Sequence, residues 1–187
     1  MRSQLNAAVG FLTILVVMSS CSHVQEEHYP SGKLKGRFEI NRAEQPHGQA
    51  KVFFESGVLE AEGECDNGVK DKAWRWYDST GVLRMTGAYN NGVQAGDYIE
   101  YFPSGKPKSV ISFSNGLREG SAKTFHANGR IASFLNYRSG MLNDTLRFFY
   151  PTGVLSMLSL AKNDTVVMYI EYDSTGVKRH EFTRAHE

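Results

Sequence analysis

Glycine recurs along this chain at a nearly fixed interval. Gly32, Gly57, Gly81, Gly105, Gly129, Gly153 and Gly176 are separated by 25, 24, 24, 24, 24 and 23 residues. Such a period restricts the chain to like units stacked on one another, each too small to bury a core alone. The glycines close short turn signals, such as Phe102-Pro103-Ser104 before Gly105 and Asp78-Ser79-Thr80 before Gly81. Pro presets φ, Asp and Ser bond their own backbone, and Gly accepts a positive φ without a Cβ clash. Gly57, Gly81, Gly105, Gly129 and Gly153 are therefore expected to be structural turn residues. A second series, Gly68, Gly92, Gly116 and Gly140, lies thirteen residues before the next main glycine, and three of its members follow Asn, the strongest short hairpin signal. Gly48, Gly96 and Gly120 form a third, nine before. Fourteen of the seventeen glycines beyond residue 20 fall in these series.

Between the turns the pattern has a period of two. An aromatic stands four residues before each main glycine from the second onward: Phe53, Tyr77, Tyr101, Phe125, Phe149 and Tyr172. Leu83, Met85, Gly87 and Tyr89 alternate with Arg84 and Thr86, and no stretch carries a 3.6-residue stripe. A composition of 41% hydrophobic and 22% charged residues is that of a folded chain. The expected fold is all-β: an elongated, single-sheet antiparallel meander of tandem β-hairpins about 24 residues long, with about thirteen or fourteen strands.

The units Asn91-Gly92 … Gly96-Asp97-Tyr98 … Tyr101-Phe102-Pro103-Ser104-Gly105 and Asn115-Gly116 … Gly120 … Phe125-His126-Ala127-Asn128-Gly129 resemble the MORN repeat. They are more similar still to its variant in the YwqK-type antitoxin family. The resemblance runs over about residues 29–182 and implies a hairpin-repeat scaffold. By the family label, it also implies a protein that neutralises a toxin by binding it. Lys72, Asp144 and Val167 replace the middle glycine, and Lys162-Asn163-Asp164 replaces the usual turn. The last units thus read as a degenerating cap.

The N-terminus reads as an address. Arg2 is the only charge before Glu26, and Val9–Met18 is apolar. Ten helical residues span about 15 Å, half of a bilayer core, so the run is a secretory signal rather than a membrane span. Ser19-Ser20 directly before Cys21 resembles a bacterial lipobox, which implies an acylated Cys21. The expected organisation is a lipoprotein signal peptide over 1–20, the lipidated cysteine and a polar tether over 21–28, and the repeat array over 29–187. This places the protein in the bacterial envelope, anchored to a membrane (the outer one) through its N-terminal lipid. Without the signal, 20 Lys and Arg balance 20 Asp and Glu. No global field is left to gather nucleic acid, which is not an expected partner.

Candidate sites lie on the sheet faces. Trp74, Trp76, Tyr98, Phe148 and Tyr150, with Tyr169, fall on the face opposite the aromatic ladder, and the first five are the candidate partner-binding residues. Lys51, Arg75, Lys123 and Arg147 share the ladder face, where their stems cover the rings. Cys65 occupies a sheet position held elsewhere by Tyr89, Phe113 and Tyr137 and reads as a small packing residue. The six histidines show no metal-ligand spacing, and no nucleophile elbow, phosphate loop or zinc motif occurs. No catalytic residue, metal, cofactor or small-molecule substrate is expected. The resulting expectation is a non-enzymatic, membrane-anchored repeat lipoprotein that binds a protein partner or a surface polymer at the envelope. The alternative is a YwqK-type antitoxin or immunity protein that neutralises a toxin by direct binding.

Overall fold

The computed structural model describes residues 15–19 and 22–184. Cys21 and most of the signal segment lie outside the described residues. The strands are β1 (Leu15–Ser19), β2 (Ser22–His28), β3 (Leu34–Ile40), β4 (Pro46–Phe53), β5 (Leu59–Asp66), β6 (Val69–Tyr77), β7 (Leu83–Asn90) and β8 (Val93–Tyr101). They continue as β9 (Pro107–Ser114), β10 (Leu117–Phe125), β11 (Ile131–Arg138), β12 (Met141–Leu142), β13 (Asp144–Phe149), β14 (Leu155–Lys162), β15 (Thr165–Tyr172) and β16 (Lys178–Thr183). Fifteen of them follow one another in chain order across a single antiparallel sheet, and short β12 extends the pairing of β11. At about 4.8 Å per strand the sheet is roughly 67 Å wide. The all-β meander expected from the glycine period is the fold.

Two turn geometries alternate. At the main glycines, the Gly57 N–H donates to the Phe54 carbonyl, and the Phe54 N–H to that of Val58. Gly57 itself has φ 88°. This is a type I turn followed by a left-handed bulge residue, repeated at Gly81, Gly105, Gly129 and Gly153 with φ between 78° and 91°. At the other end, Asn67-Gly68, Asn91-Gly92, Asn115-Gly116, Ser139-Gly140 and Asn163-Asp164 all hold two successive positive φ values. That is the two-residue primed turn which matches strand twist.

All but one of the residues that replace a turn glycine or a middle glycine leave this geometry intact; Val167 lacks the positive φ of the middle glycine it replaces. Asn163 and Asp164 adopt φ 48° and 61°, and Lys72 and Asp144 keep the left-handed backbone of the middle glycine at 55° and 71°. What degenerates is burial, since β16 is exposed along its whole length. The segment read as a polar tether differs from expectation. Ser22–His28 is a strand, because the free edge of β3 offers it a complete ladder and Arg37 reaches Glu26 at 2.6 Å. In the full chain β1, inside the segment read as signal, pairs in turn with β2.

With no second layer among the described residues, the two faces are filled by the sheet's own side chains. On the ladder face the Tyr77 hydroxyl donates to Glu62 at 2.8 Å, and Lys123 Nζ stands 5.6 Å from the Phe134 ring centre. The other face holds the buried residues. Within each hairpin closed by a two-residue turn, the two strands place one residue each at the middle of that face. In four of them a small residue faces a large one, Gly63 with Trp74, Gly87 with Tyr98, Ala122 with Ile111 and Ser159 with Tyr169, whereas Leu135 faces Leu146. A Cβ on Gly63 would lie 2.4 Å from the Trp74 ring, and one on Gly87 would lie 2.7 Å from that of Tyr98. The glycines let the rings lie flat on bare backbone. That covers backbone with apolar surface where a second layer would otherwise do so.

Candidate partner-binding surface

The buried face carries a continuous aromatic patch across β6 to β9. Trp74 and Trp76 lie 6.1 Å apart between ring centres. Trp76 meets Tyr89 and Tyr98 at 6.2 Å each, and Tyr98 meets Phe113 edge-on at 5.9 Å. The spacings and tilts are those of favourable aromatic pairs. Alternation places these rings on one face, and the bare backbone at Gly63 and Gly87 draws them down against the sheet.

The expected site residues do not all come together. Trp76 and Tyr98 stand together, half-buried, with Tyr89 and Phe113. Trp74 is corrected from surface to core: it is 3% exposed, packs with Ala50 and Ala61, and donates its indole N–H to the Glu64 carbonyl at 2.8 Å. Gly63 is the cause, since it lets the indole sink below its neighbours. Phe148 shares the face but lies on β13, separated from Phe113 on β9 by β10 and β11, between Ser133 and Met157. Tyr150 belongs to a turn, where its hydroxyl bonds the Tyr172 carbonyl at 2.9 Å and ties one hairpin to the next.

Lys70 was not among the sequence candidates. Its Nζ sits 4.6 Å from the Trp74 ring centre, 4.9 Å from Trp76 and 5.5 Å from Tyr89. Three ring faces around one ammonium make a cation–π cluster. Desolvation lowers the Lys70 pKa, and the adjacent Cys65 opposes that shift. Burial pushes the Cys65 thiol up, with Lys70 opposing, so its reactive thiolate is disfavoured. Burial also raises the Tyr89 and Tyr98 hydroxyls. The visible clue was the even spacing of Lys70 from Trp74 and Trp76, but a mid-strand bulge at Lys72 had to be known before that spacing could be read.

The profile of the MORN repeat variant matches residues 46–67 and 94–115. Two segments of the chain are thus MORN-like repeats. The matched segments hold the β4–β5 and β8–β9 hairpins, and the β6–β7 hairpin between them has the same turn geometry although Lys72 stands at its middle-glycine position. No curated protein matches the sequence.

Proposed function

We propose that this protein is a non-enzymatic MORN-repeat lipoprotein, held to the bacterial envelope by lipid on Cys21, that binds a protein partner through the aromatic patch. The observation that carries this reading is the patch itself. Trp76, Tyr89, Tyr98 and Phe113 form a half-buried, contiguous row on a sheet with no second layer among the described residues, and aromatic anchors of this kind dominate protein interfaces. A surface polymer such as a polysaccharide would use the same ring faces. Likeness to the YwqK-type antitoxins favours a second version, in which the bound protein is a toxin met at the envelope.

The test combines address and contact. Wild type is expected in the membrane fraction and Cys21→Ala in the soluble one. Trp76→Ala and Tyr98→Ala should stay folded and lose a co-purifying protein. If both Cys21 forms stay soluble inside the cell with the first twenty residues intact, a cytoplasmic antitoxin replaces the envelope protein. Loss of retention on a polysaccharide column, with protein partners unchanged, would assign the patch to glycan.

A further inference from the structure

The two ends of the sheet are protected differently. An unpaired edge strand is a template for another chain unless charge, proline or a bulge blunts it, and long cationic side chains are its usual guards. At the C-terminal end β16 begins Lys178-Arg179-His180-Glu181 and is exposed along its whole length. At the N-terminal end β2, Ser-His-Val-Gln-Glu-Glu-His, has no Lys, Arg or Pro. Its outer side is covered instead by another strand. β1 pairs with it in an unbroken antiparallel register, Leu15 opposite Glu26, Val16 opposite Gln25, Val17 opposite Val24, Met18 opposite His23 and Ser19 opposite Ser22.

The covering strand belongs to the segment that the proposed export signal would lose. Removal of residues 1–20 takes β1 away whole and leaves β2 outermost, starting one residue after Cys21. Alternate N–H and C=O groups over Ser22–Glu26 then lose their partners. β2 itself stays in place, because its ladder to β3 runs from His23 opposite Ile40 to Glu27 opposite Gly36, and Arg37 holds Glu26 at 2.6 Å. The result is a slot five residues long, about 17 Å. The chain cannot refill it from its other end, since β16 lies thirteen strand steps away, about 62 Å. A second copy fits it poorly. In the array the residue five after a main glycine faces the residue six before the next, as Glu62 faces Arg75 and Val110 faces Lys123. Continued from β16 of one copy to β2 of another, that register sets Glu181 against Glu26, two like charges directly opposed.

We infer that the processed edge takes an extended apolar segment of a partner protein, antiparallel to β2, in the place β1 holds in the full chain. The sequence of β1, Leu-Val-Val-Met-Ser, gives the chemistry of the occupant: uncharged, apolar and rich in residues that suit a strand. In such strand addition the main chain supplies affinity and alternate side chains supply specificity. Charge adds one more requirement. Glu27 forms no ion pair among the described residues, so a cation one residue before the position of Leu15 would stand opposite it. Lipid on Cys21 would hold the slot at the bilayer surface, where the matching segment of an envelope protein is concentrated. The inference rests on the export and lipid reading above and names a second surface beside the aromatic patch.

The probe is the end-capped peptide Lys-Leu-Val-Val-Met-Ser, and the readout is hydrogen exchange over residues 22–28. It is compared in the processed lipoprotein and in the unprocessed full chain made by cell-free translation. Alternate amides of β2 should exchange at least about tenfold faster in the processed form, where β1 is absent. The peptide should restore their protection there and change nothing in the unprocessed chain. Two alternately N-methylated peptides separate strand addition from apolar adsorption: the one methylated on the N–H groups that face β2 should fail, and the other should bind. Exchanging the peptide's Lys for Glu should weaken it at least about threefold, and Glu27→Lys in the protein, with its fold checked by circular dichroism, should reverse that preference. The inference is overturned if processing leaves β2 exchange unchanged, if the peptide gives no protection, if both methylated forms act alike, or if residues 178–183 are protected equally. It is equally overturned if protection of β2 without peptide rises with protein concentration, which would assign the slot to a second copy. Intact mass separates the two failures. Residues 1–20 retained on the cell's own protein would close the slot and reject the export reading with it, whereas a processed chain that ignores the peptide and keeps its Trp76- and Tyr98-dependent partner rejects this edge alone.

Discussion

The hairpins Leu59–Tyr77 and Leu83–Tyr101 have the same turns and pairing as the hairpins Pro107–Phe125 and Ile131–Phe149, yet their centres are filled differently. In the first two, one strand supplies a glycine and the other a large ring, Trp74 or Tyr98. In the later two the volume is shared, by Ile111 with Ala122 and by Leu135 with Leu146. Ala122 and Leu146 are each 3% exposed, as is Trp74. The unit therefore fills its centre with different pairs of residues, and in three of these four hairpins a small residue faces a large one.

The first way to break this comparison is Trp74→Ala. Gly63 cannot fill the space left, so a loss of about 3–5 kcal/mol in denaturant unfolding is expected. A loss below about 1 kcal/mol would show that Lys70 and Trp76, not the indole, cover this hairpin. A smaller effect sharpens the pair itself. Gly63→Ile alone should cost about 1–3 kcal/mol by overpacking against the ring. Combined with Trp74→Ala, it transplants the Ile111–Ala122 solution. The double variant should then be at least about 1 kcal/mol more stable than the sum of the two single losses. Strict additivity would refute complementarity.

Turns should respond alike in both regions. Gly105→Val and Gly129→Val meet no atom within 4 Å, so only their φ of 78° and 87° opposes the change. Each is expected to cost about 1–3 kcal/mol, and an unchanged melting midpoint would reject the assigned strain. The smallest effect concerns acid. Asp78 accepts bonds from the Thr80 hydroxyl and the Thr80 and Val82 N–H groups, and Asp173 does the same for Thr175 and Val177. These bonds, the Thr hydroxyl first, hold both carboxyls below the usual range. A depressed folded pKa contributes stability above the unfolded value of about 3.9, lost as pH falls through the folded one. Melting midpoints should therefore fall more steeply below about pH 4 in wild type than in the Asp78→Asn, Asp173→Asn double variant.

Turn positions were legible because positive φ is a local demand that glycine and asparagine answer in the sequence itself. The aromatic face was legible too, by alternation, as far as Trp76 and Tyr98. Trp74 was not placed correctly, because its burial depends on Gly63, eleven residues away and outside the three turn series. The place of Lys70 and the strand β2 were missed for a related reason. Both arise from which residues a bulge or a neighbouring strand brings alongside, and register across strands is a property of the pair rather than of either strand.

The simple strand order has a mechanical consequence. Each strand bonds only to its neighbours in sequence, so tension applied at the two chain ends meets the ladder one hydrogen bond at a time. Such a ribbon unzips instead of shearing. Each 24-residue unit that opens would release about 80 Å of extended chain while the remaining units stay folded. Under load the array is a series of neighbour-coupled extensible links, whose slack is metered in whole repeats.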